Sequence, residues 1–300
     1  MIKEYALDPS LLRNWKDVRF YLGLINESQG RVISRYPKRW PSLVKQGVRH
    51  DDSIGDTEKK RIEVQIDAIK DRLLRRLNRW DSSLDWLENA EIEHERTAFD
   101  GILSLDNPRD NPHVLVGEET DHTLQAWSTT AQLVVERKAE LMSETVATMF
   151  RNSKEIAFVD PHFRPDAPRY RLTLEKFLRT ALRETSSISR IRYFCKMAYS
   201  PELFVEECLS LLPRHVPQGL AIEVITLKER DKGEKLHDRF ILTNRWGVAF
   251  SVGLDAGSPG QTTLINLLSE DVWSNTWRKY CSQNPAFDMT GNPTVIVGVA

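Results

Sequence analysis

Cysteine is scarce in this sequence. Cys195, Cys208 and Cys281 are the three among 300 residues, too few and too scattered for a disulfide framework or a zinc site. Long apolar runs are missing as well. None approaches the roughly 20 residues that cross a bilayer, and the opening Met1-Ile2-Lys3-Glu4-Tyr5 has no apolar core of a signal peptide. These absences lead to the expectation of a protein of the reducing cytoplasm with no membrane partner. Nor is there an excess of one charge. Lys and Arg number 42 against 43 Asp and Glu, a net charge of −1. No global field therefore draws the chain to nucleic acid or an anionic surface, and any such binding needs a local basic patch. Repeats and low-complexity segments are absent too. What remains is an ordinary globular composition, 40% hydrophobic and 28% charged, long enough for one large or two medium domains.

Residues 1–152 read as a helical domain. Leu11, Leu12, Trp15, Val18, Leu22 and Ile25 recur at spacings of three and four after a start at Asp8-Pro9-Ser10. A second segment, residues 31–48, is broken by Pro37 and Pro41, and a loop surrounds Gly55. Ile62, Ile66, Ile69, Leu73, Leu77, Trp80, Leu84 and Leu87 trace the apolar stripe of a long helix over residues 58–94. The run 106–112 breaks the chain, and a further helix is expected over residues 123–150.

From residue 153 to 300 the pattern changes to strands alternating with helices. Ile156-Ala157-Phe158-Val159, Ile191–Cys195 and Ala221–Leu227 are strand candidates, separated by helical spacing over 172–183 and 201–212. Two more strand candidates, 240–243 and 248–252, flank a turn at 244–247, and a final helix is expected over 262–280, with Trp273 and Trp277 packing in the core. This half is expected to be a mixed α/β sandwich: a largely parallel sheet with an antiparallel portion.

The chemistry concentrates in Glu234-Lys235-Leu236-His237-Asp238-Arg239-Phe240-Ile241-Leu242-Thr243-Asn244. On a strand, residues two apart share a face, so His237 and Arg239 would project together while Asp238 points away. An imidazole beside a fixed cation suits a phosphate: the ring can attack phosphorus or carry a proton, and the cation neutralises non-bridging oxygens. The bland alternative is a strand histidine satisfied by Asp238 or Asn244.

This stretch resembles the phospholipase D-like superfamily, whose motif is His, any residue, Lys, four residues, Asp. Here the histidine is His237, Arg239 stands at the lysine position and Asn244 at the aspartate position. The Ser251-Val252-Gly253-Leu254-Asp255 stretch replaces the Gly-Ser-rich element that follows. The style is similar to a divergent branch with His-Asp-Arg followed by Gly-Leu-Asp, which includes the phospholipase D-like C-terminal domains of MIT-domain proteins, known as binding modules. The resemblance covers about half the chain. It implies an α/β phospholipase D-like domain and a metal-independent phosphodiesterase-type hydrolase without cofactor, read as a nuclease of bacterial DNA processing or antiviral defence. His237 would be the nucleophile, with Arg239 and Asn244 on the phosphate. Because the superfamily mechanism uses two histidines and the chain has one such motif, it also implies a homodimer. The replacements at Arg239 and Asn244 favour a second reading: an inactive recognition or scaffold subunit that binds nucleic acid or a protein partner, the latter through the helical domain.

Other candidates are read from the residues alone. His162 follows the strand candidate at 156–159, in a loop at the carboxyl end where α/β sites collect, and is a candidate acid; the bland alternative, the favoured one, is a loop histidine bonded to backbone. Asp160 and Asp255 could together form a metal site, but they lack the spacing typical of metal ligands, so no metal is expected. Arg72, Arg75, Arg76 and Arg79 would form one helical face able to grip phosphates, or simply a solvated one given Glu63, Asp67, Asp71 and Asp81 around them. Arg35, Lys38 and Arg39 interleave with Tyr36 and Trp40, a pattern suited to stacking bases between charges. Nucleic-acid contacts are expected from Arg35, Lys38, Arg39, Trp40, Arg72 and Arg76.

Overall fold

The computed structural model describes residues 1–24, 30–76, 78–117, 129–151, 153–185, 187–197 and 199–299. Ile25, Leu77, residues 123–128 of the expected helix and Asn152 lie outside the described residues. The chain divides into two compact units, 2–130 and 131–300, the second including Met1. Their junction falls about twenty residues before the expected one at 152.

The first unit is α/β, not all-helical. Strands β1 (Lys3–Leu7), β2 (Arg31–Ile33), β3 (Gly101–Ser104) and β4 (Val114–Val116) form a parallel sheet in the order β2-β1-β3-β4. Helices α1 (Trp15–Leu24), α2 (Trp40–His50), α3 (Asp56–Ile69) and α4 (Trp86–Arg96) complete the unit. Both faces of the sheet are covered. Tyr5, Leu7, Ile33 and Leu103 pack with residues of α2 and α3; Ala6, Ile102 and Val114 pack with Tyr36, Leu87 and Phe99. Strands buried on both faces carry no polar-apolar alternation, and three to five residues give too short an apolar run to stand out. That is why the helical reading of this half failed.

The expected long helix stops at Ile69. The chain then turns, Leu73 and Leu74 enter the core, and Leu74 bridges to Ser34 at the end of β2. Asp85 restarts the helix with a capping box to Glu88. The four arginines 72, 75, 76 and 79 therefore share no helical face. Arg76 is an internal cation: it bonds Glu4 at 2.9 Å and the carbonyls of Thr97 and Ala98, and lies 4.0 Å over the Phe99 ring. Trp40 is wholly buried and donates its indole N–H to the Leu7 carbonyl at 2.6 Å. Neither is available to nucleic acid. Arg35 donates to the Lys38 carbonyl at 2.9 Å, and the exposed Arg39 lies 5.7 Å over Trp80. Lys38 and Arg72 are exposed.

The second unit carries a mixed sheet. The strands are β5 (Gln132–Glu136), β6 (Glu155–Val159), β7 (Arg190–Lys196), β8 (Ala221–Lys228), β9 (Arg239–Thr243), β10 (Gly247–Phe250), β11 (Thr262–Leu267), β12 (Asp288–Met289) and β13 (Thr294–Val297). Their order is β12-β8-β7-β6-β9-β10-β11-β5, with β13 also on β8. The β6, β7 and β8 strands are parallel; β9 runs against β6, and each later neighbour reverses again. Helices α5 (Ala139–Thr145), α6 (Ala147–Phe150), α7 (Pro168–Glu184), α8 (Pro201–Leu211) and α9 (Glu270–Cys281) pack around it. Phe158, Tyr193 and Phe177 of α7 cluster on one face. On the other, Ala157, Val159, Phe194 and Leu242 meet Tyr280, Trp273 and Trp277 of α9. Two expectations fail here. Residues 132–136 are an edge strand before two short helices, because Val134 and its neighbours pair with β11. Residues 262–267 are a strand as well, and the last helix starts only at Glu270, capped by Ser269.

The buried arginine gives a first test. Removing Arg76 strips Glu4 of its buried partner, so Arg76→Ala should lower the unfolding free energy of the first unit in urea by about 3 kcal/mol. Arg75→Ala removes only an exposed 3.6 Å pair with Asp71 and should change it by less than about 0.5 kcal/mol. Equal effects would contradict the internal role of Arg76.

A histidine pair gives a second. His94 of α4 accepts the Phe99 backbone N–H on Nδ1 at 3.2 Å, and its ring lies 4.3 Å from that of His113. Burial, then His113, then Arg76 hold His94 below its ordinary value of 6.5. A depressed histidine takes up protons more readily when unfolded. Its contribution to stability is thus complete above about pH 6.5 and lost as pH falls through the lowered value. Melting curves from pH 8 to 5 should show that fall, and His94→Asn, whose Oδ1 can accept the same N–H, should flatten it.

Candidate functional site

The carboxyl ends of β6 and β7 and the antiparallel strands beside them gather cationic side chains around one cavity of about 560 Å³. Each group arrives for a topological reason. His162 follows β6 after Asp160-Pro161. Lys196 ends β7. Arg239 opens β9, which runs against β6 and so starts where β6 finishes. Val252 and Gly253 follow β10, and Arg137 follows β5. Arg169 and Tyr170 come from the first turn of α7, and Arg164 from the loop before it. Sites in open α/β sheets collect at this edge because loops, not strands, meet there.

Two buried carboxylates organise the cavity. Asp160, wholly buried, accepts the backbone N–H of His162 at 2.9 Å and of Leu254 at 2.7 Å. Burial raises its pKa, opposed by those two N–H groups and by the Arg239 charge. Asp255 is the second. It binds Arg137 at 2.6 Å through one oxygen and Arg169 at 2.8 Å through the other. Gly253 makes the fit possible: a Cβ there would lie 2.1 Å from Asp255 Oδ1. Tyr170 is pushed up to about 12 by burial and by the two carboxylates, so its hydroxyl keeps its proton near neutrality.

Arg239 stands apart. Its Nε is buried without a hydrogen-bond partner, and no carboxylate among the described residues lies within 4.0 Å of its guanidinium. The Nε of Arg137 is likewise buried and unpartnered. A buried guanidinium N–H with no acceptor costs free energy unless a ligand accepts from it. Arg164 bonds Asp166 through two nitrogens, at 3.0 and 2.6 Å, and Lys196 lies 3.9 Å from Glu229.

The sequence-derived site residues separate into three places. Arg239 and His162 line the cavity. His237 does not: it precedes the strand, its side chain is 68% exposed, and Nδ1 sits 2.7 Å from its neighbour Asp238. The strict alternation that would pair it with Arg239 begins only at Arg239, and Asp238 turns toward His237, not away from it. Asn244 lies past the far end of β9, about 17 Å along the strand from Arg239 at ~3.3 Å per residue. Its Oδ1 accepts the backbone N–H groups of Lys154 and Glu155 at 2.8 and 3.2 Å. Asn244 therefore anchors the start of β6 and takes no part in the cavity.

Sequence reasoning missed Arg137, Arg164, Arg169, Tyr170 and Lys196. Lys196 could have been found, since the rule that singled out His162 after one strand applies equally to the residue ending the next. Arg137 was hidden by the helical reading of its segment. Arg169 carried no local signal, because its partner Asp255 is 86 residues away in sequence.

No family model matches the chain, and no curated protein matches it. Among solved structures it is similar to the archaeal chromatin protein TrmBL2, whose structure is described as showing a novel mode of DNA binding. The identity is 10% over 80% of this chain and 77% of that one, with a TM-score of 0.27. Agreement at that level carries neither fold nor function between the two. No helix among the described residues is long and apolar enough to cross a membrane.

The anchoring role of Asn244 is testable. Asn244→Ala leaves two backbone N–H groups at the head of β6 without their acceptor. It should cost about 2 kcal/mol in denaturant unfolding while leaving ligand binding at the cavity unchanged once folded. Normal stability combined with lost binding would return Asn244 to the site.

Proposed function

We propose that the second unit is a phosphate-recognition domain, and that its cavity binds a phosphate group of a nucleic acid. The observation that carries this reading is Arg239: a cation with no carboxylate partner among the described residues, its Nε buried and unpartnered, in a cavity with Arg137, Arg169 and Lys196 around it. A planar guanidinium with two open donors matches two oxygens of a phosphate. The carboxylate pairs described above hold the neighbouring cations in place before any ligand arrives, which reduces the ordering cost of binding. The His-Asp-Arg and Gly-Leu-Asp elements, in the style of the phospholipase D-like branch that contains binding modules, support the same reading.

Recognition is favoured over turnover through His237 because that ring is exposed, paired with Asp238 and outside the cavity. A phosphodiesterase reading, with a two-fold dimer supplying a second histidine, retains one observation in its support. His162 lines the cavity together with Arg239 and would be the histidine placed to attack phosphorus or carry a proton.

Titration calorimetry with inorganic phosphate and with short single-stranded DNA separates these. Wild type and His237→Ala should bind alike, and Arg239→Ala should bind at least about tenfold more weakly, the loss of one charge-assisted contact. In the presence of EDTA none of the three should cleave DNA or RNA. Unchanged binding by Arg239→Ala would refute the recognition site. Cleavage abolished by His162→Ala would establish the phosphodiesterase reading instead, and cleavage abolished by His237→Ala would restore the phosphohistidine route.

A further inference from the structure

The charge balance around the cavity identifies the kind of phosphate, if the phosphate-recognition reading holds. Two carboxylates are each shared by two cations. Asp255 serves both Arg137 and Arg169. Glu229 serves both Lys196, at 3.9 Å, and Lys235, at 2.9 Å. Each trio keeps one positive charge in surplus. Arg239 has no carboxylate within 4.0 Å among the described residues and adds a third, whereas Arg164 is balanced by its own Asp166. The buried Asp160 under Arg239 subtracts one charge when ionised. The surplus is therefore two when Asp160 is ionised and three when it is protonated.

A phosphodiester inside a nucleic-acid strand carries one negative charge. A terminal phosphate monoester carries about 1.5 to 2 at neutral pH, with three acceptor oxygens in place of two. In a partly buried, low-dielectric cavity an unneutralised surplus is costly, so the ligand that matches it binds best. With Asp160 ionised the monoester nearly cancels the surplus and the internal diester leaves one charge; with Asp160 protonated the monoester still leaves about one charge fewer than the diester. Beside the cations the wall is apolar, formed by Pro161, Met197, Val252 and the ring of Tyr170. That surface suits a sugar and base attached to the phosphate.

We infer that the cavity takes the phosphorylated end of a nucleic-acid strand, a 5′- or 3′-phosphate monoester, in preference to phosphates within the strand. Selection of an end gives the protein a way to distinguish cut or processed strands from continuous ones.

The experiment uses the full chain and three forms of one ten-nucleotide single strand: 5′-phosphate, 3′-phosphate and hydroxyl at both ends. Fluorescence anisotropy is recorded at 150 mM salt. At least one phosphorylated form should bind about tenfold more tightly than the hydroxyl form, the size of one charge-assisted contact. Arg239→Ala should reduce that ratio to less than about threefold. Arg239→Lys should keep part of it, since the charge remains and the fork is lost. If all three strands bind equally and all weaken in Arg239→Ala, phosphate recognition stands and the end assignment is overturned. If none weakens in Arg239→Ala, the underlying site reading falls as well. A phosphoserine peptide of similar charge should bind poorly; binding as tight as the phosphorylated strand would overturn the nucleic-acid assignment.

Discussion

The bond from the Leu254 backbone N–H to the Asp160 carboxylate joins residues 94 apart in sequence and holds the carboxyl edge of the larger sheet in one arrangement. Everything at the site depends on it. The same carboxylate accepts the N–H of His162, so one buried group fixes both the loop after β6 and the loop after β10. With the second loop placed, Asp255 falls between Arg137 and Arg169. A buried acid with both oxygens occupied by backbone donors is a construction element of low conformational entropy. It fixes loops that would otherwise be free to vary, and sites built on such loops need that support.

The surrounding charges follow from this frame. Cations brought to one edge by β5, β7, β9 and α7 repel one another, and Asp255 and Glu229 each offset part of two positive charges without neutralising them. Full neutralisation would leave no attraction for a ligand. No compensation at all would oppose folding. The intermediate condition makes a rigid cationic cavity compatible with a chain whose net charge is −1: the positive field is local, set by where strands end, and invisible in composition.

The second unit was largely legible in the sequence because its central strands are five to eight residues of mostly apolar or alternating character. Ile156–Val159, Ile191–Cys195 and Ala221–Leu227 all lie within β6, β7 and β8. The first unit was not legible: its strands are three to five residues long and covered on both faces, so the helical spacing on either side of them dominated the pattern. Helix and strand were also confused at residues 132–136 and 262–267, and at Ile69 to Leu73 an apolar stripe ran past a turn that ends the helix. At the site, the motif drew attention to Arg239, which lines the cavity, and to His237 and Asn244, which do not. His237 and Asn244 share its spacing, yet the first precedes the strand and the second lies at its other end. The partners that complete the cavity come from pairs 86 and 118 residues apart, and such pairs leave no trace in a local pattern.

The position of β5 has a consequence for how the cavity comes into being during synthesis. This strand opens the second unit in sequence yet closes the far edge of its sheet by pairing with β11, so Gln132 meets Asn266 and Arg137 meets Asp255. A nascent chain that ends at β10 lacks Leu254, Asp255 and β11, so Asp160 is without one of its two backbone donors, β5 has no strand to pair with and Arg137 has no carboxylate. The cationic cavity is therefore a late product of translation, assembled when the chain returns to its own beginning. Until then Arg137 and Arg169 lack the shared carboxylate that holds them together.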